Sequence, residues 1–190
     1  MGTEERAEIR SHKTIILIGM MGVGKSTVGE ELAERLQLPF TDLDLRMSEL
    51  DLFQRSAPRI LREDGENVFR ALEHRALETW LNKTAQTGGV LATGGGVVTK
   101  ATSRETLIES QSLIIWLDAR ADTIMVRIQN DTGNVRPLLD GLSGPEVLGK
   151  IKALIDQRAP LYKEISNTVI DCDKMNSQTC INQILASMEQ

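Results

Sequence analysis

Thr14-Ile15-Ile16-Leu17-Ile18 runs straight into Gly19-Met20-Met21-Gly22-Val23-Gly24-Lys25-Ser26, and the reading of this stretch decides the fold. The first five residues are a continuous apolar run rich in β-branched side chains, which reads as a strand buried on both faces. The glycines that follow have the spacing Gly-x-x-x-x-Gly-Lys-Ser of a phosphate-binding loop. Glycine lets successive backbone N–H groups curl around phosphate oxygens with no Cβ in the way. Lys25 can place a point charge on the β- and γ-oxygens, and the Ser26 hydroxyl can ligate Mg²⁺. Beyond the loop, Val28, Leu32, Ala33 and Leu36 form an apolar helical stripe among charged residues. The loop therefore opens a helix whose positive end faces the phosphates. Gly22, Val23, Gly24, Lys25, Ser26 and Thr27 are the expected nucleotide contacts, and ATP with Mg²⁺ the expected ligand.

Further along, Pro39–Asp42, Gly89–Thr93, Leu113–Leu117 and Thr168–Asp171 read as strands. Helical patterns are expected near 45–50, 58–63, 66–83, 100–109, 120–130, 145–160 and 177–188. Strands that alternate with helices imply an α/β fold: a parallel sheet between two helical layers, an αβα sandwich. Asn130–Gly144 is polar and punctuated by glycine, with little apolar periodicity, and is expected to be a mobile lid.

The chain has 190 residues, 41% hydrophobic and 26% charged, which suits a single domain over 14–190. Its net charge of -5 argues against a nucleic-acid partner. Two cysteines and two histidines without metal-ligand spacing argue against a zinc site. Met1–Lys13 is polar, with no signal-like apolar core, and is expected to be a disordered tail. No apolar run approaches the ~20 residues of a membrane span, so the expectation is a soluble, cytoplasmic, monomeric protein.

A phosphate loop alone does not fix the reaction. A guanine-specific Asn-Lys-x-Asp signature is missing, since Asn82-Lys83-Thr84-Ala85 fails at its last place. Small size with a lid fits a kinase of a small molecule. Asp42-Leu43-Asp44 would put two carboxylates on one side of an extended segment, at a strand end that faces the ligand crevice. One could hold magnesium through water and the other accept a bond from a substrate hydroxyl; an aspartate capping the next helix is the plainer alternative. Gly94-Gly95-Gly96 allows either close approach of a ligand to bare backbone or a simple turn. Arg70, Arg136 and Arg158 are candidates to clamp an anion bidentately.

Taken together these residues resemble the shikimate kinase family. The resemblance rests on Gly19–Thr27, Asp42 and Asp44, Gly65-Glu66-x-x-Phe69-Arg70, Gly94–Gly96, Arg136-Pro137-Leu138-Leu139 and Arg158-Ala159-Pro160-Leu161-Tyr162, and covers about residues 14–188. It implies a nucleoside-monophosphate-kinase fold with a five-stranded parallel sheet, and transfer of the ATP γ-phosphate to the shikimate 3-hydroxyl on the way to chorismate. It implies that Asp44 binds the shikimate hydroxyls, Arg70 and Arg158 its carboxylate, and Gly95 and Gly96 its ring. Helices over about 43–84 would bind the substrate. Arg136 would reach the transferring phosphate, and Asp42 would hold Mg²⁺ beside Ser26. Lys25, Asp44 and Arg136 would be the catalytic groups. The chain departs from the family's usual pattern at Phe53–Pro58, and Gln129 stands seven places before Arg136, where an arginine is often found. A gluconokinase-like or nucleoside-monophosphate kinase, or a regulatory nucleotide-binding module, would share the loop without needing Arg70, Gly94–Gly96 and Arg158 together.

Overall fold

The computed structural model describes residues 14–131, Gly133 and 136–188. The expected tail over 1–13 lies outside them, as do Thr132, Asn134 and Val135 of the expected lid. Strands β1 (Thr14–Ile18), β2 (Phe40–Asp42), β3 (Gly89–Ala92), β4 (Leu113–Asp118) and β5 (Thr168–Asp171) form one sheet in the order β2-β3-β1-β4-β5. Every neighbouring pair is parallel. Ile16 of β1 pairs with Leu91 on one side and Ile114 on the other. Ile15 to Ile18 have no exposed surface. A central strand covered on both faces has no solvent side to which alternate polar residues could point, hence the unbroken apolar run.

Among the described residues, seven α-helices flank the sheet: α1 (Lys25–Leu36), α2 (Leu43–Leu50), α3 (Ala57–Thr84), α4 (Ala101–Glu109), α5 (Ala121–Asn130), α6 (Pro145–Ile165) and α7 (Ser177–Ser187). Val28, Leu32 and Ala33 of α1 are buried, the stripe that the sequence marks. The helical patterns near 58–63 and 66–83 are the two arms of α3, separated at Gly65, whose φ of 82° and ψ of 172° leave helical geometry. Parallel strands bring their C-terminal ends to one edge, and the order reverses direction around β1, so a crevice opens there. The phosphate loop leaves β1 at that edge.

One expectation fails in its geometry. Asp42 and Asp44 do not lie on one extended segment, because β2 stops at Asp42 and α2 starts at Leu43. Asp42 is the N-cap of α2: its Oδ1 accepts a 2.9 Å bond from the Asp44 backbone N–H. The helix begins early because an aspartate at this position satisfies one of its open N–H groups. Both carboxylates still reach the crevice, one as the cap and one from the first turn. Among the described residues no helix is long and apolar enough to cross a membrane.

Candidate active site

A cleft of about 1000 Å³ runs along the crevice and opens into a smaller cavity of about 140 Å³. Gly22, Val23, Gly24, Lys25, Ser26, Thr27, Asp42, Asp44, Gly95 and Arg136 line the cleft. Asp44, Arg70, Gly95, Gly96, Arg136 and Arg158 line the cavity. The structure thus gathers the residues that the sequence singles out into two connected spaces.

The loop end is built for an anion. Gly24 is the N-cap of α1 with φ 106°, a left-handed conformation that a side chain would strain. It has no side chain to cap the helix, and the first turn holds no acidic residue. The leading N–H groups of α1 and the positive end of its dipole therefore face the cleft. Lys25 is buried, and its Nζ donates to the carbonyls of Gly19 and Met20, both at 2.9 Å. Burial pushes its pKa down to about 8, against the raising effect of Asp44 and then Asp42.

Ser26 Oγ donates a 2.6 Å bond to Asp42 Oδ2. Asp42 thus serves two helices at once, capping α2 with one oxygen and meeting the start of α1 with the other. A hydroxyl and a carboxylate oxygen side by side suit a hard, oxygen-seeking cation such as Mg²⁺. Asp44 is half-buried, and desolvation, with Asp42 next in effect, raises its pKa to about 6.

The smaller cavity holds charged groups that the fold leaves partly unsatisfied. Arg158 is buried, and its Nη1 donates to the Gly95 carbonyl at 3.1 Å. Tyr162 Oη, one helical turn on, donates to the same carbonyl at 2.5 Å. Arg70 Nη1 donates to Glu73 Oε2 at 2.8 Å, and its guanidinium lies 5.0 Å from the centre of the Phe69 ring. Asp44 Oδ1, Glu73 Oε1, Arg70 Nε and Arg158 Nε are buried side-chain atoms without a hydrogen-bond partner among the described residues. Buried polar groups normally find partners, so two acceptors and two donors left open around one cavity set this corner apart from the rest of the core.

The triple glycine explains itself in this setting. A Cβ at Gly94 would stand 2.6 Å from Glu73 Oε1 and 3.1 Å from Asp44 Oδ1, and one at Gly96 would collide with the Arg70 guanidinium. The close approach expected from the sequence therefore involves the protein's own charged groups as well as the ligand space.

Three residues of the site escaped the sequence reading. Glu73 is completely buried, and burial lifts its pKa to about 7 against the pull of Arg70. Its signal was present: it falls on the buried stripe of α3 with Phe69, Ala76, Leu77 and Trp80, three residues from Arg70. Tyr162 sits in the Arg158 motif but was given no role. Arg127 lines the far end of the cleft, with Nη1 on the Val23 carbonyl at 2.9 Å and Nη2 on the Cys172 carbonyl at 2.5 Å. Arg127 stands two residues before Gln129 on α5. Arg136, just before the 3₁₀ turn Pro137–Leu139, lines both spaces and pairs with Asp131, Nη2 to Oδ2 at 2.5 Å.

The chain is similar to known proteins along almost its whole length. A shikimate kinase from Symbiobacterium thermophilum is 37% identical over 176 residues, 93% of this chain and 96% of the relative. One from Enterococcus faecalis is 34% identical over 178 residues, 94% of this chain and 99% of the relative. The solved structure of shikimate kinase from Acinetobacter baumannii in complex with shikimate superposes with a TM-score of 0.83 at 30% identity, covering 96% of each chain. The sequence model of the family described as shikimate kinase matches residues 21–189, and with this span and these likenesses the chain belongs to the shikimate kinase family.

Proposed function

We propose a division of labour for the reaction of this family, transfer of the ATP γ-phosphate to the 3-hydroxyl of shikimate. ATP occupies the large cleft, its phosphates on the N–H groups of the loop and the first turn of α1. Shikimate occupies the smaller cavity, its carboxylate between Arg70 and Arg158 and its hydroxyls on Asp44 and the Gly95–Gly96 backbone. The single observation that carries this reading is one cavity lined by Arg70 and Arg158 together with Asp44 and Glu73. A hydroxylated carboxylic acid complements two guanidinium groups beside carboxylates.

Phosphoryl transfer passes through a loose, negatively charged transition state, so charge neutralisation and positioning carry most of the catalysis. Lys25 and Arg136 supply positive charge. Mg²⁺ held through Ser26 and Asp42 would neutralise phosphate charge further. For Arg136 this means exchanging Asp131 for a phosphate oxygen. Asp44, with a pKa of about 6, is ionised near neutral pH and suited to accept the hydroxyl proton. The segment over 130–144 acts as the lid and α2 with α3 as the substrate-binding helices. A monomeric, cytosolic enzyme belongs to the same reading, and the net charge of -5 speaks against a nucleic-acid partner.

The test is a coupled assay with ATP and shikimate, gluconate or AMP as acceptor, run on the wild type and on Arg70→Ala and Arg158→Ala. Turnover is expected with shikimate alone, with a raised shikimate KM in both variants. An unchanged KM in both would remove the carboxylate clamp from this account.

A further inference from the structure

Two buried thiols border the large cleft. Cys172 follows β5 and Cys180 lies in the first turns of α7, and both line the cleft wall near Arg127. Exposure is only 1% for Cys172 and 2% for Cys180 with the cleft surface included, so a small disulfide reaches them when this wall opens locally. Their sulfurs stand 3.2 Å apart, against about 2.05 Å in a disulfide, so bonding requires a closure of only about an ångström. The loop between them also contributes Met175, Asn176 and Ser177 to the cleft wall.

Arg127 couples this loop to the phosphate loop. Its Nη2 donates to the Cys172 carbonyl at 2.5 Å and, at 3.4 Å, to that of Met175, while Nη1 holds the Val23 carbonyl at 2.9 Å. A displacement of Cys172 toward Cys180 therefore pulls on a guanidinium that also braces the residues around the nucleotide.

We propose that Cys172 and Cys180 are a modification site: a low-molecular-weight disulfide oxidises them to a reversible intramolecular disulfide, and that bond weakens nucleotide binding. The inference rests on the reading of the large cleft as the nucleotide site. The exchange balances in two steps. One cysteine thiolate attacks a sulfur of the small disulfide, forming a mixed disulfide and releasing one small thiol. The other thiolate attacks the cysteine sulfur of that mixed disulfide, forming the Cys172–Cys180 bond and releasing the second small thiol. The two protein thiols lose two electrons, the small disulfide gains them, and the two cysteine protons end on the released thiols. Burial pushes the Cys172 thiol above its ordinary range, which disfavours the attacking thiolate. The exchange is accordingly slow, on the minutes-to-hours scale of uncatalysed disulfide chemistry. A nucleotide in the cleft lies against this wall, so ADP is expected to slow the cross-linking, and the disulfide weakens ADP through the Arg127 contacts that it displaces.

The experiment treats the full chain with oxidised glutathione or with dithiothreitol, reads the intact mass, and measures ADP and shikimate affinity by calorimetry. The expected result is loss of two hydrogens with no glutathione retained. ADP affinity falls by at least about fivefold and returns with dithiothreitol, while shikimate affinity changes less than ADP affinity. Cys180→Ser and Cys180→Ala each abolish the response; two substitutions guard against one that fails to fold, and the oxidised and reduced wild type can be compared without either. A stable glutathione adduct, no mass change, or a cross-linked chain with unchanged ADP affinity overturns the proposal. Failure of the reduced chain to bind ADP would overturn the nucleotide reading with it, which separates the two.

Discussion

Glu73 Oε2 accepts a 2.8 Å hydrogen bond from Arg70 Nη1, while its other carboxylate oxygen, Oε1, is buried without a partner at the Gly94 backbone. A carboxylate half used by an arginine and half open is positioned by the fold at a cost. Removal from water raises its pKa from 4.5 to about 7. The folded state therefore holds the Glu73 proton more tightly than the unfolded chain. The stability linked to this group is present below about pH 4.5 and is lost as pH rises through about 7. Glu73→Gln removes the titration and flattens the fall in stability across that window, by up to about 3 kcal/mol. Thermal melts of the ligand-free protein at a series of pH values measure it; parallel curves for the two proteins would contradict the assignment.

Gly96→Ala places a methyl group where the Arg70 guanidinium now lies. The arginine must move, and Glu73 loses its partner. Shikimate KM is expected to rise tenfold or more, about 1.4 kcal/mol, with the ATP KM close to wild type. Steady-state kinetics with each substrate varied in turn reads the split, and an equal effect on both would point to general unfolding of the site.

The buried ammonium of Lys25 has its pKa lowered to about 8 in the ligand-free protein. Below that pH it is charged and attracts phosphate; above it the charge must be regained on binding. ADP affinity is expected to weaken as pH climbs through 8 to 9, and the weakening should be much smaller in Lys25→Met. In Lys25→Ala, turnover falls by about 10²–10³-fold or more, the scale for loss of a transition-state charge partner.

Asp42 combines two duties that substitution can separate. Asp42→Asn keeps a side-chain oxygen for the Asp44 N–H and should leave stability within about 0.5 kcal/mol, whereas Asp42→Ala loses the cap at about 1 kcal/mol. Both remove the carboxylate beside Ser26, so both should need more Mg²⁺ to reach half-maximal rate. Magnesium titrations beside chemical denaturation distinguish the two duties. An unchanged Mg²⁺ requirement in the asparagine variant would detach Asp42 from the metal.

Arg158 donates to the Gly95 carbonyl and keeps Nε open. Arg158→Ala is expected to weaken shikimate binding by about 2 kcal/mol or more with a smaller effect on ATP. Lysine should not rescue it, because a single ammonium cannot hold the carbonyl and a carboxylate with the fixed fork of a guanidinium. Calorimetric binding of shikimate to the alanine and lysine variants decides.

The stretch from Thr14 to Ser26 marked a doubly covered strand and a phosphate-type loop, and the alternation of strands with helices marked the parallel sheet, without any tertiary information. A doubly covered strand must be apolar throughout, and a phosphate cradle needs glycine and lysine at set intervals; both requirements are local. The five strands and the two separate helical patterns over 58–63 and 66–83 were legible for the same reason. The partnerships were not. Asp42 and Asp44 looked like neighbours on a strand until α2 was seen to begin between them. Glu73 looked like one more helical acid until the glycine corner closed over it. Cys172 and Cys180 are unremarkable in sequence, yet their sulfurs lie 3.2 Å apart. Burial, and the pKa shifts and open hydrogen bonds that follow from it, depends on which distant surfaces meet. Only the packed structure decides that, because desolvation belongs to the assembled neighbourhood and not to any one stretch of chain.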